Sequence, residues 1–453
     1  MFIGREKEKQ RLQDVLRAKN TAIMIYGKRK VGKTALILET LRDQPYIYYE
    51  CIQGSMEDNL TSMTAELVRT GVLPAMISFP GFRELFAYLK SLSREMTIVI
   101  DEYPYLKALT PAETVDSVFQ SIIDQGLNTL RLILCGSHVG MMKQMLEEKS
   151  ALYGRFQLVL RLNDLDYRTA SKFYADQSVY DKIGVHAVFG GTPYVLKHLN
   201  PELSLRENMI NTVLNEEHPV SLYASRLLIS DYSIPINAER IFGVLGNGRK
   251  RYKEIESLLG MEKNGNLAKQ LKVLSELELV QKNNPINYPQ EARKASYELN
   301  DNLLRFYFTY IYRNTSALRM IGAEAFYDSI IQPTLITFIS HRFEALCREY
   351  FSLQAREGNL PGIHNIGTYY YDDPVQKHNR EFDIALSWGD SYSLYEAKYV
   401  KHALTMDEIH REQGQVREIQ NLRVKELGFI SASGFVEREP GVRYITGDDL
   451  YAM

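Results

Sequence analysis

The sequence is poor in cysteine and tryptophan, and neither sign of charge dominates it. Its 453 residues include three cysteines and one tryptophan. The cysteines (Cys51, Cys135 and Cys347) lie far apart, so they form neither a zinc-ligand spacing nor a disulfide framework. Fifty-four basic and 56 acidic residues give a net charge of −2, which excludes a polycation and restricts any contact with nucleic acid to a local patch.

Long hydrophobic runs are also absent. No apolar stretch approaches the ~18 residues that a membrane span requires. The first residues, Met1–Lys7, become charged without the apolar segment of a signal peptide. We therefore expect a cytoplasmic protein without membrane contact. Its 45% hydrophobic and 24% charged residues are typical of globular proteins, and a prior of ~150 residues per domain suggests about three domains.

Strands alternate with helices in the first part of the chain. Short, β-rich apolar runs occur at Thr21–Tyr26, Thr97–Ile100 and Leu130–Cys135, and helical segments separate them. Such runs are typical of strands buried in a parallel sheet. We therefore predict an α/β fold with a parallel sheet. After about residue 165 the pattern becomes helical, and beyond residue 341 a helix precedes several strand-like pieces.

The clearest motif follows the first predicted strand and has the form G-x-x-x-x-G-K-[S/T]. Its glycines allow the chain to wrap closely around phosphates, and the N–H groups of the loop and of the next helix bind the anion. We expect the lysine to reach the β and γ phosphates of ATP and the threonine to ligate Mg²⁺. The alternative is a lysine-rich surface loop. The predicted nucleotide-binding residues are Gly27, Lys28, Arg29, Lys30, Val31, Gly32, Lys33 and Thr34.

Polar residues follow the next two predicted strands. We predict that Asp101 binds the metal and that Glu102 is the general base for the attacking water. Alternatively, the two acids only begin a helix. Ser137 follows the third strand, where it can lie between the acidic strand ends and sense the γ-phosphate. The alternative for Ser137 is a plain turn.

Six short segments, read together, resemble a known family. In their order along the chain they are similar to the prokaryotic, archaeal-type ATPases of the AAA/STAND group, and the resemblance covers residues 1–310 and continues to the end. The segments are Phe2–Glu6, the phosphate loop, Ile100–Glu102, Cys135–Ser137, Leu152–Arg155 and Gly190–Pro193.

The resemblance implies a P-loop NTPase sheet with a helical lid, and it assigns further residues. It implies that Phe2, Ile3 and Arg5 lie near the adenine, and that Pro193, in the lid, also lies near the base. Arg155 takes the place of an arginine that contacts the γ-phosphate, in its own subunit or from a neighbouring one. An oligomer is therefore one option. A surface salt bridge is the alternative role for Arg155.

Residues 234–300 look like a winged helix. Lys253–Leu259 reads as its first helix, Gly260–Gly265 as the turn and Asn266–Leu277 as the second helix. The exposed face of the second helix would carry Lys269 and Lys272, and a basic cluster at 248–253 suits phosphate contacts. We expect either DNA contact by this element or, as in many such ATPases, packing against the nucleotide domain only.

A second set of chemical residues lies near the carboxyl terminus. Asp383 and Glu396 occur on neighbouring predicted strands, and Lys398 shares a face with Glu396 because strand side chains alternate. Glu344, on a helix, could complete a shell for Mg²⁺ or Mn²⁺, with Gln413 as a fifth member. The lysine could then position or activate water for attack on a phosphodiester. The alternative is a hairpin with surface charges.

This pattern resembles the PD-(D/E)xK restriction-endonuclease-like fold over about residues 320–453, with Phe382 in place of the usual proline. The predicted domains are a P-loop ATPase core (1–165), a helical lid (166–230), a winged helix (231–312) and an α/β restriction-endonuclease-like domain (313–453). The predicted function is an ATPase coupled to a metal-dependent nuclease acting on DNA. The alternative is an ATP-dependent signalling switch or scaffold that engages a protein partner, with a C-terminal domain that does not cleave.

Overall fold

The computed structural model describes residues 2–226, 235, 238–260, 265–373, 378–417 and 423–452. The chain divides into two compact units, Met1–Leu165 and Asp166–Met453. Over the residues described, none of the helices combines the length and apolar character that crossing a membrane requires.

The first unit is a parallel five-stranded sheet with helices on both faces. Its strand order is β2-β3-β4-β1-β5, and every pair is parallel. The elements are α1 (Glu6–Leu16), β1 (Thr21–Tyr26), α2 (Lys33–Leu41), β2 (Tyr46–Glu50), α3 (Met56–Arg69), α4 (Phe82–Ser91), β3 (Met96–Asp101), α5 (Ala112–Asp124), β4 (Leu130–Gly136), α6 (Val139–Gln144) and β5 (Leu158–Arg161).

Burial explains why the three predicted strands were visible in the sequence. Every residue of β1, β3 and β4 is buried, because helices cover both faces of these central strands. On one face, α1 and α2 contribute Leu12, Leu16, Leu36 and Ile37 to the core. On the other face, α3, α4 and α5 supply a larger core around Phe119. The predicted parallel α/β fold is confirmed.

The two edge strands of the sheet, β2 and β5, were not predicted from the sequence. In β2 exposed and buried residues alternate, and both ends of the strand are exposed. In β5 only four residues form the strand, and its last residue is exposed. Edge strands bury fewer side chains than central ones, so neither segment shows the continuous apolar run that revealed the others.

The second unit begins with short helices. These elements are α7 (Tyr167–Ala170), α8 (Val179–Phe189), α9 (Pro193–Leu196), α10 (Leu205–Asn211) and α11 (Pro219–Arg226). Helix α8 is buried from Ile183 to Phe189 and is the central helix of this part. The predicted lid ends at residue 230, and its last four residues, 227–230, lie outside the described residues.

A small helical and β-stranded layer follows. Its elements are α12 (Ala238–Leu245), β6 (Lys250–Arg251), α13 (Tyr252–Leu259), α14 (Asn266–Glu276), β7 (Val280–Asn283) and β8 (Ser296–Leu299). The three strands form an antiparallel sheet in the order β6-β8-β7. Both predicted helices are present. Most of the turn predicted between them, residues 261–264, lies outside the described residues.

The remainder of the second unit is a helical segment and a mixed sheet. The elements are α15 (Asn302–Phe306), α16 (Thr315–Phe326), α17 (Gln332–Arg356), β9 (Asn365–Asp373), β10 (His378–Trp388), β11 (Ser391–Lys398), α18 (Met406–Arg417), β12 (Val424–Ser431), β13 (Val442–Thr446) and α19 (Gly447–Tyr451). The sheet order is β13-β12-β11-β10-β9. Strands β9 to β11 pair antiparallel, whereas β11 to β13 pair parallel.

The loop between β7 and β8 lies against strand β9. The Ile286 N–H donates to the Thr368 carbonyl at 2.7 Å. The Asn287 side chain donates to the Tyr370 carbonyl at 2.7 Å and accepts from the Tyr370 N–H at 3.1 Å. In the sheet order, β9 is an edge strand. The loop, which is the wing of the predicted winged helix, therefore covers this edge.

Candidate functional site

The turn after β1 is shaped by two glycines. A side chain at Gly27 would place its Cβ 2.1 Å from the Leu162 carbonyl oxygen, so no larger residue fits there. Gly32 has a φ of 98°, a left-handed conformation that glycine adopts readily, and it directly precedes α2. The turn therefore brings its backbone close to the amino terminus of α2, where free N–H groups favour an anion.

Lys33 lies inside this turn, with 6% of its surface exposed. Its Nζ donates to the carbonyl oxygens of Gly27, at 2.9 Å, and of Lys28, at 3.1 Å. A buried ammonium requires such partners, because an unpaired charge in the interior is costly. The two loop carbonyls therefore hold the Lys33 ammonium inside the turn, where a phosphate bound by the loop would lie.

The other loop residues connect the turn to its surroundings. Val31 is fully buried, whereas Lys30 is exposed and has a φ of 67°. The Lys28 ammonium pairs with Asp164 at 2.6 Å. The Arg29 guanidinium donates to the Tyr105 hydroxyl. These contacts join the outer side of the loop to the segments after β3 and β5.

Asp101, at the end of β3, accepts hydrogen bonds on both carboxylate oxygens. Oδ2 accepts from Thr34 Oγ1 at 2.9 Å and from the Tyr48 hydroxyl, and Oδ1 accepts from the Glu102 N–H at 2.9 Å. Burial raises the pKa of Asp101, but bonds from Tyr48, the Cys135 thiol, the Glu102 N–H and Thr34 together hold it below its usual value. The side chain is therefore an anion prepared for a cation.

The donor set at Thr34 and Asp101 fits Mg²⁺. A hydroxyl and a carboxylate are hard oxygen ligands, and Mg²⁺ in nucleotide sites usually takes one or two protein ligands together with water and phosphate oxygens. Across the described ranges there is no group of three or more His, Cys, Asp and Glu side chains that could hold a metal. A cation at this site would therefore depend on the nucleotide for part of its shell.

Glu102 lies at the same end of the sheet and is held by Ser137. Its Oε2 accepts from the Ser137 Oγ at 2.8 Å and from the Ser137 N–H at 3.1 Å. The backbone of Glu102 has a φ of 50°, which is uncommon for a residue with a side chain. Strained residues cluster at functional sites. The structure thus brings Glu102, Ser137, Asp101 and Thr34 together.

The residues before α1 also contact the phosphate loop. Arg5 donates to the Val31 carbonyl at 3.3 Å, to the Asn163 carbonyl, and to Glu8 at 3.3 Å. Phe2 packs against the core beneath α1 and α2, and Ile3 is half-buried. These contacts connect Arg5 to the phosphate loop, and the predicted adenine contacts of Phe2, Ile3 and Arg5 stay predictions.

Arg155 forms an ion pair with Asp124, the last residue of α5. Its Nε and Nη2 atoms lie 2.9 and 3.0 Å from the two carboxylate oxygens, and Nη1 donates to the Tyr153 carbonyl at 3.0 Å. Such a partly exposed pair typically contributes only ~0–1 kcal/mol. The arrangement corresponds to the salt bridge that was the alternative for Arg155, and contact with a γ-phosphate stays a prediction. Pro193 begins α9 in the second unit, and its role near the base also stays a prediction.

The carboxyl-terminal acids lie on adjacent strands, as the sequence suggested. Ile384 of β10 lies opposite Tyr395 of β11 in the last pair of this ladder, and Asp383 and Glu396 are the residues next to that pair on the two strands. The register between β9 and β10 shifts between Phe382 and Ala385, which places Asp383 in an irregularity of the strand. Such bulges re-aim side chains and are frequent beside active sites.

Charges of both signs surround Asp383. The Arg348 guanidinium donates to the Asp383 carbonyl oxygen at 2.6 Å. Burial, and then the nearby Glu344 carboxylate, raise the pKa of Asp383 to about 7, against the opposing effect of Arg249 and Arg348. Burial also raises the pKa of Glu396, and Lys398 only partly offsets this. The acids therefore repel one another where no cation lies between them.

Lys398 pairs with two acids, of which sequence reasoning found one. Its Nζ lies 2.8 Å from Glu396 and 3.0 Å from Glu412 of α18. Burial alone would lower the pKa of Lys398, but these two carboxylates raise it. Gln413 is buried and donates to Glu439. Arg249, which the sequence placed in a basic cluster suited to phosphate contacts, pairs with Glu381 at 2.9 Å. Tyr48, Glu412 and Arg348 were missed because no motif marks a residue whose role arises from packing between distant elements.

Comparison with known proteins finds two different families to which parts of the chain are similar. Residues 2–199 match a family described as an ATPase domain predominantly from Archaea. Residues 307–412 match a family described as archaeal and bacterial proteins of unknown function. The first part of the chain is therefore similar to archaeal-type ATPase domains, and a later part is similar to a second family.

Individual relatives are consistent with this division. An uncharacterized protein of Methanocaldococcus jannaschii is 28% identical over 404 residues, which cover 87% of this chain and 86% of that protein. Among solved structures, the Walker-type ATPase of Pyrococcus abyssi is similar, with a TM-score of 0.52 and 17% identity, over 68% of this chain and 96% of that chain. At this identity the structural likeness concerns the fold.

Proposed function

We propose that the amino-terminal unit binds ATP with Mg²⁺ and hydrolyses it. The observation that carries the proposal is the arrangement at one end of the parallel sheet. There a buried lysine lies inside a glycine-shaped turn, beside a hydroxyl–carboxylate pair and a strained glutamate. Each is a group that phosphoryl transfer to water requires. The match to an ATPase family supports the same reaction.

Binding of the phosphates would replace bonds that the loop now makes within itself. Lys33 would exchange the carbonyls of Gly27 and Lys28 for phosphate oxygens. Thr34 would offer a lone pair of its hydroxyl oxygen to the cation, while its O–H can still donate to Asp101. Bound Mg²⁺ would neutralise charge on the β and γ phosphates. These exchanges need little backbone movement, because the donors already face the turn.

Glu102 is the proposed general base. Only Oε2 accepts from the Ser137 hydroxyl and N–H, so Oε1 could orient water while Ser137 fixes the carboxylate, and a bound nucleotide could draw the Ser137 hydroxyl toward itself. Ser137 is then able to respond to the γ-phosphate, as the sequence predicted. The two residues would work as one unit at the ends of β3 and β4.

Phosphate release from ATP tests this assignment. Glu102→Gln keeps the shape of the side chain but loses its basicity, and we expect turnover to fall by ~10²–10⁴-fold while ATP binding persists. Glu113→Gln, an exposed acid at the start of α5, is the matched control and should keep full turnover. Turnover of Glu102→Gln within about threefold of wild type would show that Glu102 is not the base.

We further propose, as a second candidate function, metal-dependent phosphodiester hydrolysis at Asp383, Glu396 and Lys398. Burial, and then repulsion by Glu344, raises the pKa of Asp383, and burial raises the pKa of Glu396. This favours the function, because a divalent cation would stabilise both carboxylates. Asp383 and Glu396 would provide two ligands of Mg²⁺ or Mn²⁺. Water and phosphate oxygens would provide the rest, because Glu344 does not complete a group of three such side chains among the described residues. Lys398 would face the scissile phosphate once Glu396 and Glu412 release it.

A nuclease assay tests the second function on single-stranded, duplex and branched DNA, with Mg²⁺ or Mn²⁺ and with or without ATP. Asp383→Ala should abolish cleavage and leave ATP hydrolysis intact. Asp390→Ala removes an exposed acid from the turn between β10 and β11, and it should cleave as wild type does. Wild-type protein that cleaves none of these substrates would contradict this function and would favour a switch that engages a protein partner.

DNA contact would involve α14 rather than the wing. Lys269 and Lys272 are exposed on α14. In the wing, by contrast, Lys294 lies over the rings of Tyr288, at 3.0 Å from the centroid, and Tyr370, at 4.4 Å. A cation held over two rings is less available to phosphates. We therefore propose that the exposed lysines of α14 make the phosphate contacts.

A further inference from the structure

Tyr48 lies beside the two proposed Mg²⁺ ligands although it belongs to no phosphate-binding motif. In the parallel pairing of β2 and β3, Glu50 lies opposite Asp101 and Tyr48 opposite Val99. Because side chains alternate along a strand, Tyr48 and Asp101 share one face of the sheet. Its ring packs against the core beneath α1 and α2. The hydroxyl reaches the strand end and donates to Asp101 Oδ2.

Thr34 and Tyr48 donate to the same carboxylate oxygen. Thr34 Oγ1 lies 2.9 Å from Asp101 Oδ2, and the other oxygen, Oδ1, accepts from the Glu102 N–H. When Thr34 Oγ1 offers a lone pair to a cation, its hydroxyl is shared between the cation and Oδ2. Tyr48, which does not contact the cation, keeps its whole hydrogen bond to that oxygen. Without Tyr48 the carboxylate would keep fewer donors, the Cys135 thiol and the Glu102 N–H among them, and could rotate more easily about its last bond.

We infer that Tyr48 is a positioning residue for the cation that accompanies ATP, holding the Asp101 carboxylate in the orientation that the cation requires. The inference rests on the proposed ATPase function. Tyr48 contacts neither nucleotide nor cation in this account, so it acts through Asp101. Its loss should weaken the contribution of Mg²⁺ to ATP binding and leave the loop's own contribution unchanged.

Tyr49 is a matched control on the same strand. It is buried on the opposite face of the sheet, and its hydroxyl donates to Asn59 at 2.9 Å. Tyr49→Phe removes a hydroxyl of the same kind from the same strand without touching the nucleotide site. Any general effect of weakening β2 should therefore appear in both variants.

The test is a calorimetric titration of ATP into the full-length chain, with EDTA or with a series of Mg²⁺ concentrations. For Tyr48→Phe we expect ATP affinity in EDTA within about twofold of wild type. We expect the gain in affinity on adding Mg²⁺ to fall by about tenfold or more, as for a lost hydrogen bond to a charged group. Tyr49→Phe should keep the full gain. Melting temperatures without nucleotide check that both variants fold.

Two results overturn the inference, and they differ in what else they affect. If Tyr48→Phe and Tyr49→Phe show the same Mg²⁺-dependent gain as wild type, Tyr48 has no positioning role, and the proposed ATPase function stands. If wild-type protein shows no Mg²⁺-dependent binding of ATP, the proposed function itself fails, and the inference fails with it.

Discussion

The amino-terminal and carboxyl-terminal acid sites solve opposite electrostatic problems. At Asp101, donors from Thr34, Tyr48 and the Glu102 N–H satisfy a buried carboxylate, and its pKa lies below the usual value. At Asp383, burial and the neighbouring Glu344 carboxylate raise the pKa to about 7. The first site keeps its charge without a ligand. The second, whose cost Arg249 and Arg348 offset only in part, would be relieved further by a proton or a cation.

The two sites differ in how clearly their hydrogen bonds and charges indicate a function. Asp101 is prepared for a cation by hydrogen bonds that are visible, whereas Asp383 carries a cost that a ligand would remove. Preorganised donors indicate where charge will be stabilised. A raised pKa at Asp383 shows that the charged carboxylate is costly, but it does not show which ligand would offset that cost. The arrangement at Asp101 therefore carries the proposal of ATP hydrolysis further than the arrangement at Asp383 carries that of phosphodiester hydrolysis.

After Glu102→Gln, Arg155→Ala should give the largest loss of hydrolysis at the first site. If the guanidinium acts on the γ-phosphate, hydrolysis should fall by tenfold or more and ATP affinity should change little, because such an arginine stabilises charge in the transition state. Asp124→Asn is the matched control, since it breaks the same ion pair but leaves the arginine. Equal hydrolysis rates in the two variants would assign Arg155 to the salt bridge alone.

Mixing subunits sharpens this prediction. If Arg155 acts on a neighbouring subunit, Arg155→Ala protein mixed with Glu102→Gln protein should recover part of the activity. Each variant would supply the residue that the other lacks. A mixture that stays as inactive as its components would place Arg155 in its own subunit.

The two acids should also make stability depend on pH with opposite signs. The raised pKa of Asp383 means that the folded chain binds this proton more tightly than the unfolded chain, so the free energy of unfolding falls as pH rises from about 4 to about 7. For Asp101 the pKa is lowered, so its stabilisation is present above its usual pKa and is lost as pH falls through the lowered value.

Asp383→Asn tests this contrast by chemical denaturation at pH 5 and pH 8. We expect the variant to be more stable than wild type at pH 8, by roughly 1–3 kcal/mol, and to lose most of that advantage at pH 5. Asp390→Asn, at an exposed position, should follow wild type at both values. An advantage of equal size at pH 5 and pH 8 would contradict the raised pKa.

The smallest predicted effect concerns the wing. Asn287→Ala removes two hydrogen bonds to strand β9, each contributing about 1 kcal/mol. Amide exchange at Ile286 and Tyr370 should therefore accelerate by about ten- to thirtyfold. Asn284→Ala, whose side chain bonds within the loop to Pro289, should leave these amides unchanged. Equal exchange in both variants would mean that Asn287 does not hold the wing.

Part of this architecture could be predicted from the sequence, because strands that are buried on both faces consist of continuous apolar residues. The central strands β1, β3 and β4 are continuous apolar runs, and the phosphate loop has a fixed spacing of glycine, lysine and threonine. The alternation of strand side chains placed Glu396 and Lys398 on one face, and the 2.8 Å ion pair agrees with this. These features are local in the chain.

The rest depends on packing between distant segments, which carries no local signal. Strand β2 was missed because its ends are exposed, and its Tyr48 contact with Asp101 was missed with it. The partners of Arg155 and Lys398, Asp124 and Glu412, come from helices that approach only in the fold. The wing likewise contacts β9, a strand that lies far from it in the sequence.

Two lysines of the phosphate loop provide the most direct test of whether the turn after β1 binds ATP. Lys33 is buried inside the turn, whereas Lys30 is exposed on its outer side. Titration of ATP with Mg²⁺, followed by calorimetry, should show no measurable binding by Lys33→Ala. Lys30→Ala should keep nearly wild-type affinity, because Lys30 would bind phosphate through its backbone N–H, which the substitution keeps. If Lys33→Ala binds ATP as tightly as wild type does, the turn after β1 is not the nucleotide site.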